Sequence, residues 1–338
     1  MSEKKGSGSI VGNIIKFGIP LIISVGLCYL LFTGIDFHQM MAIIRDQCDF
    51  RWIAFGFIFA IGAQVFRAYR WGIQLRALEI MPPAAILIYS IFGTYAVNLV
   101  FPRLGEIWRS GYIAQRQHAP FTTVVGSMIS DRLSDTIAVL LITLFAFLVA
   151  SKAILSFLAE NGESYAAIGR MLSSPWLWTA VALCVIGLIV LLKIHTTNKV
   201  ILKIQKAMTE LWQGFAVIVK MPGKGRWLIF TVAIWLCYFM QLYVSFFAFP
   251  FTAQLLNDYG IQAALVTFVL GSISMGVPSN GGIGPWQWAV MFALGIYGLP
   301  MEQAGAFANL SLGTTTLLTI ALGIFTFVAI ALDKKKNK

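Results

Sequence analysis

Residues 98–109 read NLVFPRLGEIWR and close an apolar run that begins at residue 83. A hydrocarbon-seeking segment that ends in a proline, a glycine, two arginines and a glutamate is one of two things. Either it is a crossing that has reached water, or it is a helix that turns inside the membrane. The choice sets the topology of the whole chain.

Composition frames the problem. The 338 residues are 58% hydrophobic and 12% charged, whereas a soluble domain carries about 25% charged residues. The chain reads as an all-α, polytopic membrane bundle, because a bilayer admits helices or closed barrels and the alternation of a barrel strand is absent. Apolar runs fall near 11–33, 52–66, 83–101, 121–150, 175–192, 227–250, 261–278, 285–299 and 304–332, several of them reaching the ~20 residues that a helical crossing needs. The N-terminal run is long and lacks a convincing cleavage site after it, so it is kept as the first span rather than a signal peptide.

The net charge is +11, with the basic residues spread along the ends of the apolar runs. Anionic headgroups and the positive-inside rule account for that placement, and nucleic acid is not expected as a partner. The tail DKKKNK and the basic start of the chain place both termini in the cytoplasm. The link 193–226 carries Lys193, Lys199, Lys203, Lys206, Lys220, Lys224 and Arg226 against Glu210, so it too belongs in the cytoplasm. Counting every apolar run as a crossing would deliver that link to the outer face.

The conflict disappears if 83–101 enters from the cytoplasm and 102–118 returns to the same side, with 261–278 and 285–299 pairing likewise from outside. The expected architecture is therefore about six full spans, near 11–33, 52–66, 125–150, 175–192, 227–250 and 304–332, plus two oppositely inserted re-entrant hairpins. All of it forms a single integral membrane domain over 1–338. Within the link, Ile201, Ile204, Met208, Leu211, Phe215 and Ile218 recur at helical intervals, which fits either an amphipathic helix on the cytoplasmic leaflet or a connector packed on the bundle.

Four blocks carry charge or backbone breaks where hydrocarbon is expected. In FRAYRW, Arg67 and Arg70 sit where a span meets the cytoplasm, with Tyr69 and Trp71 read as interfacial aromatics; a positive-inside anchor and a lipid-phosphate contact both fit. In the opening block, Asn98, Pro102 and Gly105 mark a turn, and Arg103 and Arg109 can fork onto phosphate oxygens. Glu106 is three residues from each arginine and can offset their charge. In SDRLSD, Asp131, Arg132 and Asp135 stand at a helix entrance, where the carboxylates can clasp Arg103 or Arg109, accept a proton, or cap the helix.

The fourth block, VPSNGGIGPWQW, breaks the chain at Pro278, Asn280, Gly281, Gly282, Gly284 and Pro285. Glycines at the following helix start leave N–H groups open to an anionic oxygen, while the nucleotide-binding glycine patterns are not matched. Ser311, Thr314, Thr315 and Thr316 are expected to bond backbone carbonyls of the last span. Cys28, Cys48, Cys184 and Cys237 are scattered, as are His38, His118 and His195, so neither a metal nor any other cofactor is assigned.

Taken together, FRAYRW, P-R-L-G-E-x-x-R at 102–109, S-D-R-L-S-D at 130–135 and G-G-I-G at 281–284 resemble the flippase-like transmembrane family, which includes the membrane portion of lysylphosphatidylglycerol synthases. The likeness covers nearly the whole chain. It departs at Asp131, where the family has a glutamate, and at Ser279, Asn280 and Gln287, the last standing where the family has a glutamate. Synthases of that kind carry a soluble domain after the membrane portion; since this sequence stops at Lys338, no aminoacyltransferase domain is expected.

The resemblance implies movement of a phosphate-bearing lipid or lipid-linked glycan precursor between leaflets of the prokaryotic cytoplasmic membrane. It would place Arg103, Arg109 and Arg132 on phosphate and make charge partners of Glu106, Asp131 and Asp135, with 278–285 as a lid. Two other functions stand beside it: a non-catalytic partner in envelope lipid or glycan synthesis, and a lipid-headgroup enzyme, for which no nucleophile and base pair is evident. A homo-oligomer is left open by the scattered glycines.

Overall fold

The fold is described from a computed structural model covering residues 37–160 and 221–336, apart from Pro102 and Pro278, together with a few residues between 174 and 205. The spans expected at 11–33 and 175–192, and most of the link 193–226, lie outside the described residues. All regular elements among the described residues are helices: α1 (Phe37–Gln47), α2 (Phe50–Arg76), α3 (Ala84–Val100), α4 (Leu104–Arg116), α5 (Phe121–Glu160), α6 (Lys224–Ser245), α7 (Pro250–Tyr259), α8 (Ile261–Ser274), α9 (Pro285–Ile296) and α10 (Met301–Lys336).

Four stretches are long and apolar enough to cross a membrane: Phe50–Arg76, Phe121–Val149, Lys224–Ala248 and Met301–Asp333. Each contains a span expected from sequence or most of one, but α2 runs ten residues past the expected end at 66. Arg67 and Arg70 thus lie inside a continuous helix rather than at its cytoplasmic exit. Helix α5 begins at Phe121, directly after Pro120, so Asp131 and Asp135 sit well inside it and do not cap it. Two elements were not anticipated. Helix α1 packs Met40 and Ile43 into the core, and α7 starts from Pro250 at its first turn.

Local chemistry explains the boundaries. Asp49 has extended backbone and accepts the Arg51 N–H at 3.0 Å, which caps α2. The chain leaves α2 through Glu79, with φ 63°, and then meets Pro82 and Pro83, which allow α3 to begin. Helix α3 ends at an extended Phe101, and Arg103 adopts φ 63° before α4 starts. Gly281, Gly282 and Gly284 at φ 62°, 90° and 92° make the corresponding break between α8 and α9.

Two hairpins give the bundle its character. Helices α3 and α4 fold back on each other so closely that a Cβ on Gly93 would lie 2.3 Å from the Trp108 ring, and one on Gly105 would lie 2.1 Å from the Thr94 carbonyl oxygen. Helices α8 and α9 do the same, with Gly271 against Trp286. Small residues here let backbones approach in the way that packs helices in hydrocarbon. Helix α2 lies along α6, with Gly56 beside Gln241 and Val244, Gly62 beside Cys237, and Phe66 and Tyr69 both stacked on Phe230.

The buried apolar residues divide into two centres. One gathers Met40, Ile53, Phe246, Phe249, Val266, Leu294 and Phe307, and so joins α1, the start of α2, the end of α6, α8, α9 and the start of α10. The other gathers Ala68, Trp71, Leu75, Ile91, Ile113 and Val124 at the far end of α2, with α3, α4 and the start of α5. Hairpin α3–α4 therefore has both its outer ends in one half of the bundle and hairpin α8–α9 has both of its own in the other. Their tips meet between the halves: Arg103 Nη2 donates to the Gly276 carbonyl at 2.9 Å, and Leu99 lies against Gly281.

Candidate functional site

Seven charged side chains meet where α2, α4 and α5 converge. Arg70, reaching from α2, donates to Asp131 Oδ1 through Nε at 3.0 Å and Nη2 at 2.6 Å, and to Asp135 Oδ1 at 2.7 Å. Arg67, one turn earlier, is bonded to Asp135 Oδ2. From α4, Arg109 reaches Asp131 Oδ2 at 3.3 Å, while Glu106 pairs with Arg132 at 3.1 Å. Arg132 also approaches Asp135 at 3.8 Å. Arg70, Arg109 and Asp131 are fully buried, and Arg132 and Glu106 are the more exposed members.

The helical register explains why these residues converge. Arg67 and Arg70 share a face of α2 at i, i+3, and Asp131 and Asp135 share a face of α5 at i, i+4. Packing those faces together turns four adjacent charges into a continuous network. Aromatic surfaces complete the walls. The Arg109 guanidinium lies 4.4 Å from the Trp71 ring centre, and the Trp71 indole N–H donates to Ser127 Oγ at 3.1 Å. Trp71 is fully buried, so it is a wall of the cluster and not the interfacial aromatic expected from sequence. Tyr69, on the opposite face, does lie outward against Phe230.

The cluster is not electrically complete. Four arginines face three carboxylates, which leaves one positive charge over. Arg67 Nε, Arg70 Nη1, Arg109 Nε, Arg109 Nη1 and Arg132 Nε are buried without a hydrogen-bond partner. Buried donors are normally satisfied, because an unfilled one costs roughly 1–3 kcal/mol. Several such donors on one set of guanidinium groups match the needs of an acceptor with more than one oxygen.

The other sequence candidates fall into three places. Asn98 holds the first hairpin closed, accepting the Gly105 N–H at 2.8 Å and donating to Glu106 at 3.2 Å. Arg103 stands at the elbow, exposed and bonded to Gly276, so the aspartates do not clasp it. Its left-handed backbone takes it out of α4, and the helical spacing that would let Glu106 reach it does not apply; Glu106 turns instead to Arg132 and Asn98. Asn280, Gly281 and Gly282 form the tip of the second hairpin, away from the charges.

Gln287 is buried and takes the Gly284 N–H at 2.9 Å, while its amide N–H bonds Asn309. The Gly284 N–H, expected to be open to an anion, is therefore already filled from within the chain. Thr314, Thr315 and Thr316 donate to the carbonyls of Leu310, Ser311 and Leu312, as expected for hydroxyls in an apolar helix, whereas the Ser311 hydroxyl, expected to do the same, is buried without a partner among the described residues. Sequence reasoning missed Tyr95, Tyr238 and Gln241. Tyr95 and Tyr238 share a hydroxyl contact at 3.1 Å, and Gln241 bonds Thr315 at 3.0 Å. For Tyr238 and Gln241 the signal was available as polar groups one turn apart on α6 in an otherwise apolar run.

Among the described residues no group of His, Cys, Asp and Glu side chains is arranged to hold a metal ion. No curated protein and no solved structure matches the chain. A family model does: residues 18–323 match the one described as the lysylphosphatidylglycerol synthase transmembrane region. With charges buried among helices long enough to cross a bilayer, and with that match spanning nearly all of its length, this multi-pass membrane protein belongs to the lysylphosphatidylglycerol synthase transmembrane-region family.

Proposed function

We propose that the chain moves a phosphate-bearing lipid or lipid-linked precursor between the leaflets of the cytoplasmic membrane. The observation that carries this reading is the buried cluster with one arginine too many and several guanidinium N–H groups unfilled. Charged groups in a membrane bundle face interior or water-filled paths and mark the route of a substrate. A phosphate offers the oxygens that such donors require, and Arg132, half-exposed, marks the approach to the deeper Arg109 and Arg70.

The topology follows the same proposal. The end of the bundle that holds Arg76, Arg116, Lys224 and Arg226 faces the cytoplasm, and the end that holds Asp46, Asp49, Asp258 and Glu302 faces outward. Hairpins α3–α4 and α8–α9 are then re-entrant from opposite sides, and about six spans cross fully once the segments near 11–33 and 175–192 are added. Both termini lie inside. Substrate would be held at the charged cluster and released by movement of one half against the other.

Reconstitution tests the proposal. Vesicles containing Arg109→Gln or Arg132→Gln, each eluting as a folded species, should move labelled phosphatidylglycerol at least tenfold more slowly than wild type. Arg109→Lys should be impaired too, because an ammonium cannot fork onto two oxygens. Wild-type rates in both glutamine variants would remove the cluster from any part in transport.

A further inference from the structure

Beside the charged cluster lies a second polar region that carries no charge of its own. The Arg67 guanidinium sits 5.8 Å from the Tyr238 ring centre, and the Tyr238 hydroxyl meets that of Tyr95 at 3.1 Å. One turn along α6, Gln241 donates one amide N–H to Thr315, and among the described residues its side-chain carbonyl oxygen and second N–H meet no other partner. Tyr95, Tyr238, Gln241 and Thr315 are all half-buried. Gln64, one turn before Arg67, is buried with its side-chain carbonyl oxygen unpartnered.

These groups are neutral and both donate and accept, which suits hydroxyls. A buried cation would need a carboxylate or an open aromatic face. Among the described residues, the buried carboxylates are those of Asp131 and Asp135, and these and the half-buried Glu106 each already meet an arginine. The face of Tyr238 is taken by Arg67. At the other hairpin, Gln287 adds an amide that is bonded within the chain.

Resting on the transport reading above, we infer that Tyr95, Tyr238, Gln241, Thr315 and Gln64 form a headgroup subsite for an uncharged, hydroxyl-bearing group such as glycerol or a sugar. The phosphate would occupy the arginines next to it. A lipid with a cationic headgroup would bring its charge against Arg67 with no free carboxylate to receive it.

The test uses the full chain in phosphatidylcholine vesicles containing trace phosphatidylglycerol or lysylphosphatidylglycerol, each labelled on an acyl chain and read by reduction of the outer-leaflet label. Phosphatidylglycerol should move at least tenfold faster. Gln241→Glu, which supplies a carboxylate at a half-buried position, should raise the lysyl-to-glycerol rate ratio at least fivefold; Gln64→Glu repeats the test at a second position. Equal rates for the two lipids, or a faster lysyl lipid, in wild type would overturn the subsite while leaving transport standing. An unchanged ratio in both folded variants would also overturn it. Movement of neither lipid would overturn the transport reading and the subsite with it.

Discussion

Replacing Asp131 with Asn removes the charge that two arginines share while keeping the shape of the side chain. Asp131 holds Arg70 at 2.6 Å and Arg109 at 3.3 Å with no exposure to solvent. At an effective dielectric of about 20, a unit pair at the Arg109 distance attracts by about 5 kcal/mol before desolvation is counted. Asparagine still accepts from Arg70, and Arg70 still has Asp135, so the loss should fall at the low end of the ~3–5 kcal/mol seen when a buried pair loses one partner. A loss of about 3 kcal/mol lowers the folded-to-unfolded ratio roughly a hundredfold. Arg109→Gln in the same chain removes the stranded cation and should recover about 1–2 kcal/mol, as expected for directly coupled groups. Equilibrium unfolding in mixed micelles of rising dodecyl sulfate content, followed by tryptophan fluorescence, measures wild type, the two single variants and the double variant. If Asp131→Asn stays within about 0.5 kcal/mol of wild type, or the two losses simply add, the reasoning about a shared buried carboxylate is wrong.

Three further outcomes are expected. Gly105→Ala should cost at least about 1–3 kcal/mol in the same assay, because its Cβ would fall 2.1 Å from the Thr94 carbonyl oxygen, and only backbone movement in the hairpin relieves that. Trp71→Phe keeps the packing but loses the Ser127 hydrogen bond and weakens the contact with Arg109, for a cost of about 1–2 kcal/mol; a fall below about 0.3 kcal/mol would deny the indole its part in the cluster wall. Burial, with the neighbouring Asp49 charge, pushes the Cys48 thiol up to about 11. In a variant retaining Cys48 alone, maleimide labelling should therefore rise close to tenfold per pH unit from 7 to 10, whereas a rate that levels off near 8.5 would mean an ordinary thiol.

Much of the architecture could be read from where proline and glycine interrupt apolar runs. Pro102 with Gly105, and Gly281 to Pro285, are helix breakers inside segments of single-span length, and the structure folds back at both. The charged residues of the cluster were equally visible, since an arginine in such a run is too costly to be incidental. Their pairing was legible only in part: Arg109 was expected to be clasped by the aspartates and meets Asp131 at 3.3 Å, whereas Arg67 and Arg70 were not expected there. Spacing along one helix identifies neighbours three or four residues apart, but Arg70 and Asp131 are 61 residues apart, and only the packing of α2 on α5 brings them together. Glu106 shows the limit most clearly. Its predicted partner Arg103 has the right spacing, but the left-handed elbow at that residue breaks the helix on which the spacing depends. Pro120 before Phe121 would have marked the true start of α5 and moved Asp131 from the rim to the interior. Helix α1 was overlooked because its apolar residues Met40, Ile43 and Ile44 form too narrow a stripe to stand out beside the membrane runs.

The distribution of charge between α2 and α5 also governs how the protein can be made. Asp131 follows Arg70 by 61 residues and Asp135 follows Arg67 by 68, so a ribosome delivers the cations long before their anions. During that interval α2 carries two arginines that each cost about 2.5–3.5 kcal/mol at the centre of a lipid-exposed helix. Helix α2 is therefore expected to keep these guanidinium groups, which lie in its second half, among headgroups until α5 emerges to pair with them. Biogenesis, and not only the finished fold, is tied to the order in which these four residues are synthesised.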